Sequence, residues 1–171
     1  PRTTTAARIV RTTLDGGGGP LQAEIVDLPG LYRLALSTPE STICRSVLSG
    51  EGLYRKPDAV IVVVDACNLT RNLMLVGELL AFDGPVVVAL NMVDIAQRRG
   101  LTLDAVALSQ QLGCPVVPIV ARRGEQLDVL QRVVADALRG ERTPTTRPIP
   151  DAAAEAWADR VVEASVTGVG S

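Results

Sequence analysis

The stretch PVVVALNMVD, residues 85 to 94, is an apolar run that stops abruptly at Asn91 and Asp94. It is short, and its apolar residues do not alternate with polar ones, so it predicts a strand covered on both faces. Residues 59 to 65 (AVIVVVD) and 115 to 120 (PVVPIV) have the same character and predict two more buried strands.

Helical patterns separate these strands along the chain. Thr70 is expected to cap a helix that ends near Phe82, and a second helix is expected over residues 104 to 112, closed by Gly113. Residues 125 to 138 carry apolar side chains at helical spacing. The alternation predicts an α/β fold with a mostly parallel sheet flanked by helices, in which ligands bind at the carboxyl ends of the strands.

The two ends of the chain have other patterns. Residues 7 to 14 and 22 to 27 are β-like and flank the turn DGGGG, which predicts a hairpin, and STPE at 37 to 40 predicts the start of a helix that ends near Gly50. One domain is expected over residues 1 to 140, then a Pro/Thr-rich linker at 141 to 150 and a helix within 151 to 171. Because the chain starts at Pro1 and not at methionine, we expect it to be a piece of a longer protein.

Composition argues against several classes of protein. The net charge of −2 is unlike that of a nucleic-acid-binding or anionic-membrane-binding surface. The chain has no histidine and only three cysteines, Cys44, Cys67 and Cys114, which are far apart, so histidine catalysis is excluded and a thiolate zinc site is not expected. No apolar run approaches the roughly 20 residues that span a bilayer, and the chain taken alone is expected to be soluble.

The first candidate binding motif is Asp27-Leu28-Pro29-Gly30, at the end of a predicted strand. An aspartate there can hold Mg²⁺ through water, and a glycine amide without a Cβ beside it can approach a terminal phosphate. The alternative is an ordinary Pro-Gly turn that follows a strand.

The second motif is Asn91-Met92-Val93-Asp94. A carboxylate that accepts from both N1 and the exocyclic amine of guanine discriminates against adenine, and Met92 offers an apolar contact to a base. The alternative is a plain Asn/Asp turn at the end of a strand. The third strand then ends in Val120-Ala121-Arg122, where the Ala121 amide could bond to guanine O6.

The order of the motifs favours the binding interpretation over a set of unrelated turns. Asp27-x-x-Gly30, Asn91-x-x-Asp94 and the Ala121 loop follow successive strands, in the order of the G3, G4 and G5 boxes of GTPases. Thr4 would then supply oxygen ligands to Mg²⁺ and the γ-phosphate, although Thr3 and Thr5 flank it and β-propensity near a chain end is the alternative.

These passages resemble the cytosolic G domain of the ferrous iron transport protein B family, FeoB. The resemblance covers roughly residues 1 to 140. The element N-L-x-R-N-L at 68 to 73 and the run A-L-N-M-x-D at 89 to 94 are typical of that family more than of GTPases at large. The passages that carry it are VDLPGLYRLALSTPE at 26 to 40, PDAVIVVVDACNLTRNL at 57 to 73, GPVVVALNMVDIAQRRG at 84 to 100 and LSQQLGCPVVPIVARRG at 108 to 124.

The resemblance implies a Ras-like P-loop GTPase fold that binds GTP or GDP with Mg²⁺ and hydrolyses GTP slowly. It also implies a bacterial regulatory domain at the cytoplasmic face of the inner membrane, whose partner is the protein's own C-terminal Fe²⁺ permease and whose full-length form could be a homo-oligomer. Thr4 and Asp27 match the Mg²⁺ ligands, and no catalytic side chain is assigned. The nucleotide-binding set that it implies is Thr4, Asp27, Gly30, Asn91, Met92, Asp94, Val120, Ala121 and Arg122.

The departures from the family pattern are also informative. The first strand, the Gly-rich phosphate loop and the first helix are missing from these 171 residues, and Val120 stands where many GTPases have serine. The missing strand would lie between the strands that end at Asp27 and Asp65. We therefore expect unpaired strand edges, an uncovered apolar face, low stability and weak nucleotide binding in this piece.

Leu31 follows Gly30, where Ras-like proteins carry the glutamine that orients water, which is consistent with slow hydrolysis. Residues 31 to 56 would form the second switch. The alternatives are a ribosome-associated GTPase, a nucleotide-free interaction module of the same fold, and a flavodoxin-like receiver or redox domain.

Overall fold

The computed structural model describes residues 7–140 and 153–169. The expected linker at 141 to 150 lies outside the described residues, as do Thr4 and its neighbours. The helices and strands, in chain order, are β1 (Arg8–Gly16), β2 (Gly19–Asp27), α1 (Pro39–Ser49), β3 (Val60–Asp65), α2 (Leu69–Leu79), β4 (Val86–Asn91), α3 (Val93–Arg98), β5 (Leu101–Leu103), α4 (Ala105–Leu112), β6 (Val116–Pro118), α5 (Leu127–Arg139), α6 (Ala154–Ser165) and β7 (Val166–Val169), with short 3₁₀ turns at Ala66–Asn68 and Ala121–Arg123.

The centre of the fold is a parallel sheet with strand order β3-β4-β6. All three strands predicted from the apolar runs are present, and helices connect them as expected. The register aligns Asp65 with Asn91, so the polar residues that end β3 and β4 lie side by side at one edge of the sheet.

Strand β4 is covered on both faces, as its uninterrupted apolar sequence predicts. Its side chains alternate between two packing environments. Val86, Val88 and Leu90 pack with α2, α4 and α6, whereas Val87 and Ala89 face α5. Every residue from 86 to 90 is at most 1% exposed, so this strand is the middle of the core.

The N-terminal hairpin is present but belongs to a sheet of its own. β1 and β2 pair antiparallel from Arg8↔Asp27 to Gly16↔Gly19 and have no ladder with β3. The hairpin packs on α5 through Leu14, and the Asp136 carboxylate accepts the Gly17 N–H at 3.1 Å. The sheet is therefore less continuous than the expected mostly parallel one.

Apolar side chains are exposed on both sides of this break. Ile9 and Ile25 on the hairpin are 57% and 42% exposed, and Ile61 and Val63 on β3 are 39% and 61% exposed. On β3 the buried Val62 and Val64 alternate with these two, so one face of the strand is packed and the other is open.

Helix ends follow the predicted signals in two cases and not in the third. Thr38 caps α1 with Gly50 beyond its end at φ 74°, and Gly113 closes α4 at φ 68°. The predicted cap at Thr70 is wrong, because α2 already begins at Leu69. The N-cap of α2 is Asn68, without a capping side-chain hydrogen bond, and Asp65 instead caps the preceding 3₁₀ turn by accepting the Cys67 N–H at 2.8 Å.

The helix expected near the C-terminus, α6, packs on the main core. Ala158 and Val161 join the cluster of Leu73 and Leu108 from α2 and α4. Strand β7 follows directly and pairs antiparallel with β5, a ladder that no sequence signal predicted. In the described part of the chain, no helix has both the length and the apolar character needed to cross a bilayer.

Candidate functional site

The strongest candidate site is the loop pair at the carboxyl edge of the parallel sheet. Asn91 ends β4, and its Oδ1 accepts a hydrogen bond from the backbone N–H of Ala121 at 3.1 Å. Ala121 opens the 3₁₀ turn that follows β6. One side chain thus ties together the two loops that the sequence assigned to base recognition.

Met92 adopts an unusual backbone conformation at this point. Its φ of 65° is left-handed, one of two such cases among the described non-glycine residues. The Met92 carbonyl accepts the N–H groups of Ile95 and Ala96, each at 3.0 Å, so the turn at Met92 leads directly into the first turn of α3. A bulky residue in this region costs about 1–2 kcal/mol, and such strain concentrates at functional sites.

Asp94 lies in the first turn of α3, with its side chain 15% exposed. Its Oδ2 is 3.1 Å from Arg98 Nη2 and 3.9 Å from Arg123 Nη2. Neither contact has hydrogen-bond geometry, and Oδ2 is buried without a hydrogen-bond donor. The two guanidinium groups compensate the charge, whereas the hydrogen-bonding capacity of the oxygen is unmet.

The three residues predicted in the loop after β6 lie in different environments. Val120 is buried, and its backbone pairs with Glu125 in an isolated bridge, which fixes the loop. Ala121 presents its N–H to Asn91, and the Arg122 side chain is exposed. Since Val120 has no hydroxyl, it offers Asp94 no side-chain donor.

The Asp27-to-Gly30 turn lies on a separate loop, after β2. Asp27 is exposed, while Pro29 is buried and its carbonyl accepts the Cys44 S–H at 3.7 Å. A Cβ at Gly30 would meet nothing within 4 Å beyond its chain neighbours, so the side-chain side of Gly30 is open.

The donor set for a metal ion is sparse. No group of three or more histidine, cysteine or acidic side chains that could hold a metal occurs within residues 7–140 and 153–169. Mg²⁺ in nucleotide sites is commonly held by one or two protein ligands together with phosphates and water. A single exposed carboxylate at Asp27 fits that role, and the other expected ligand, Thr4, lies outside the described residues.

The loop that follows Gly30 is held by residues that the sequence analysis missed. The Glu78 carboxylate, on α2, accepts from Arg33 Nε at 3.0 Å, from the Leu34 N–H at 2.6 Å and from the Ala35 N–H at 3.3 Å. The Arg71 guanidinium stacks 3.6 Å from the centre of the Tyr32 ring. Glu78 is more than 40 residues from the loop in sequence, so no local pattern points to it.

The two arginines beside Asp94 were also missed. Arg98 could have been found, since it is four residues after Asp94 on a short helix. Arg123 could not, because only the folding of the two loops brings it near Asp94.

Comparison with known proteins identifies the family. The family model for ferrous iron transport protein B, N-terminal part, matches residues 9–134. A fusion of Fe(2+) transport protein A with Fe(2+) transporter FeoB from Porphyromonas gingivalis is 44% identical over 131 residues, which is 77% of this chain and 15% of that protein. Fe(2+) transporter FeoB of Salmonella typhimurium is 44% identical over 118 residues, or 66% of this chain and 15% of that protein.

Solved structures agree with this result. The FeoB G-domain from Methanococcus jannaschii has a TM-score of 0.67 and 31% identity, over 76% of this chain and 80% of that one. The cytosolic domain of L. pneumophila FeoB has a TM-score of 0.66 and 32% identity, over 86% and 58% of the two chains.

The T. maritima FeoB cytosolic domain in its GMPPNP form has a TM-score of 0.68 and 27% identity, over 86% of this chain and 59% of that one. The chain spans about 15% of the length of the curated relatives that it matches. A ribosome-associated GTPase and a flavodoxin-like domain are not favoured by these matches. The predicted resemblance is confirmed, and the chain belongs to the ferrous iron transport protein B family, with the Ras-like fold of its G domain.

Proposed function

We propose that this chain is the guanine-nucleotide-recognising part of a ferrous iron transporter, and that it reads the base through Asp94, with Asn91 holding the Ala121 loop beside the base. The observation that carries the proposal is the pairing of the Asn91–Ala121 hydrogen bond with the buried Oδ2 of Asp94, which has no donor. The T. maritima relative was solved with GMPPNP and with GDP, which supports the same ligand class here.

Each residue has a chemical role in this proposal. The Asp94 carboxylate accepts the N1–H and the 2-amino N–H of guanine, an edge that adenine does not present. Asn91 keeps the Ala121 loop in place, so that the loop can form one side of the base-binding site. Met92 and Arg122 flank the base, Met92 by apolar contact and Arg122 through its exposed side chain.

The phosphate end is proposed to use Asp27 and Gly30 from this chain. Asp27 would hold Mg²⁺ through water, and the Gly30 amide, with open space at the Cβ position, would meet the terminal phosphate. When bound, Mg²⁺ would neutralise charge on the phosphates. The Leu31 side chain cannot orient or deprotonate a water, so GTP hydrolysis would be slow. Leu31→Gln would test whether a polar side chain at this position speeds hydrolysis. The longer protein would carry the Fe²⁺ permease as the partner of this domain, at the cytoplasmic face of the membrane.

A binding titration tests the proposal. A fluorescent GDP analogue is titrated into this chain and into the full-length product of its gene, with unlabelled GDP and ATP as competitors. We expect binding by the full-length protein that GDP but not ATP displaces, much weaker binding by this chain, and loss of binding on Asp94→Ala. Equal displacement by ATP, or unchanged binding by Asp94→Ala, would contradict base recognition at this site.

A further inference from the structure

The Asp94 carboxylate is held by two arginines from different elements. Arg98 comes from the last turn of α3 and Arg123 from the turn after β6, and both guanidinium groups approach the same oxygen, Oδ2, at 3.1 Å and 3.9 Å. Arg123 is itself held by the Glu125 carboxylate, 3.4 Å from its Nη1. Glu125 thus contacts Arg123, and Arg123 contacts Asp94. Arg98 contacts Asp94 from α3.

The geometry of these contacts separates charge from hydrogen bonding. A largely buried carboxylate without nearby positive charge would be costly to keep ionised. The two guanidinium groups provide that charge, yet neither is aligned to donate to Oδ2, so the oxygen is restrained by charge and not by a hydrogen bond. The carboxylate therefore lies between two positive charges that limit its orientation, and a ligand that donates to Oδ2 displaces no protein hydrogen bond.

We propose that Arg98 and Arg123 are positioning residues that set the selectivity of Asp94 for bases with a 2-amino group. This inference rests on the proposed function of Asp94. A carboxylate free to rotate still meets one N–H, whereas accepting two adjacent N–H groups requires a fixed orientation. Loss of the arginines should therefore affect guanine, which presents N1–H and a 2-amino group, more than hypoxanthine, which presents only N1–H.

The test compares GDP with inosine diphosphate as competitors for a fluorescent GDP analogue bound to the full-length gene product. The variants are Arg98→Ala, Arg123→Ala and the double variant. Both side chains are about half exposed, at 57% and 49%, so each single loss should weaken GDP binding by about threefold and the double by about tenfold. Binding of inosine diphosphate should change by less than about twofold.

Arg99→Ala is the matched control. Arg99 is the exposed neighbour of Arg98 and has no ion pair within the described ranges 7–140 and 153–169, so its loss should leave both nucleotides unaffected. Arg98→Lys and Arg123→Lys keep the positive charge and should restore part of the preference for GDP over inosine diphosphate. These lysine variants also provide the test if an alanine variant does not fold.

Two results would overturn the inference. One is an equal weakening of GDP and inosine diphosphate, which would mean that the arginines only stabilise the loops. The other is unchanged GDP binding in the double variant while Asp94→Ala still weakens it, which would leave the proposed function intact and remove the role of the arginines. Absence of GDP binding by the unmodified protein, or no effect of Asp94→Ala, would overturn the proposed function together with the inference.

Discussion

Glu78 should be among the most sensitive charged positions in this structure, because its carboxylate holds the loop after Gly30 in place. It accepts one hydrogen bond from Arg33 Nε and two from the backbone of Leu34 and Ala35, and the Arg33 and Glu78 side chains are only 18% and 17% exposed. Glu78→Ala removes all three bonds at once and leaves two backbone N–H groups without this acceptor.

The expected cost follows from burial and hydrogen-bond count. A hydrogen bond to a charged group contributes about 1.5–3 kcal/mol, and breaking a fully buried pair costs about 3–5 kcal/mol. Because this site keeps some solvent access and the contributions of neighbouring bonds do not add, we expect a loss of about 2–3 kcal/mol in the free energy of unfolding. The matched control is Glu24→Ala, whose pair with Arg11 is 58% and 86% exposed and should contribute less than about 0.5 kcal/mol.

Urea unfolding followed by circular dichroism measures the global effect on this chain. Limited trypsin digestion measures the local one, since release of the loop should speed cleavage after Arg33 in Glu78→Ala but not in Glu24→Ala. If the two variants lost equal stability, within about 0.5 kcal/mol, and were cleaved at equal rates, the proposed anchoring by Glu78 would be refuted.

Three further predictions concern α1 and its surroundings. Gly50→Ala should destabilise the chain by about 1 kcal/mol or more beyond Gly52→Ala, which urea unfolding midpoints would show. Both glycines have positive φ, but a Cβ at Gly50 would lie 2.8 Å from the Lys56 backbone nitrogen, whereas a Cβ at Gly52 would meet nothing within 4 Å. Thr38→Ala should cost about 1 kcal/mol through loss of the α1 N-cap, and an unchanged midpoint would contradict that role. Burial raises the pKa of the Cys44 thiol from 9.0 to about 11, against the opposing charge of its neighbouring arginine, so the unfolded chain binds fewer protons between these values. Stability should therefore fall from pH 9 to pH 11, and Cys44→Ala should show a smaller fall.

The core of the fold could be predicted from local sequence. Uninterrupted apolar runs predicted β3, β4 and β6, and the STPE motif at 37 to 40 and the glycines at 50 and 113 predicted helix ends, because these signals depend on neighbours in the chain. The strand pair β5 with β7 could not be predicted. Its two partners, Leu101–Leu103 and Val166–Val169, are short and distant in sequence, so pairing depends on where α6 packs.

The candidate site shows the same division. The residue types and spacing of Asn91 and Asp94 predicted base recognition, and the Asn91–Ala121 hydrogen bond joins the two predicted loops. The groups that orient Asp94 and the loop after Gly30 were not found. Arg123 and Glu78 act on residues far away in sequence, and only the three-dimensional structure brings these charges together.

The most direct test of base recognition replaces Asp94 with asparagine in the full-length gene product. Guanine offers two N–H donors to the carboxylate, whereas xanthine offers one N–H donor and one carbonyl acceptor, which match the oxygen and the amide of asparagine. Competition titrations with GDP and xanthosine diphosphate would compare the two proteins. We predict that the unmodified protein prefers GDP and that Asp94→Asn prefers xanthosine diphosphate. An unchanged preference for GDP in Asp94→Asn would contradict the role of Asp94 as the guanine reader.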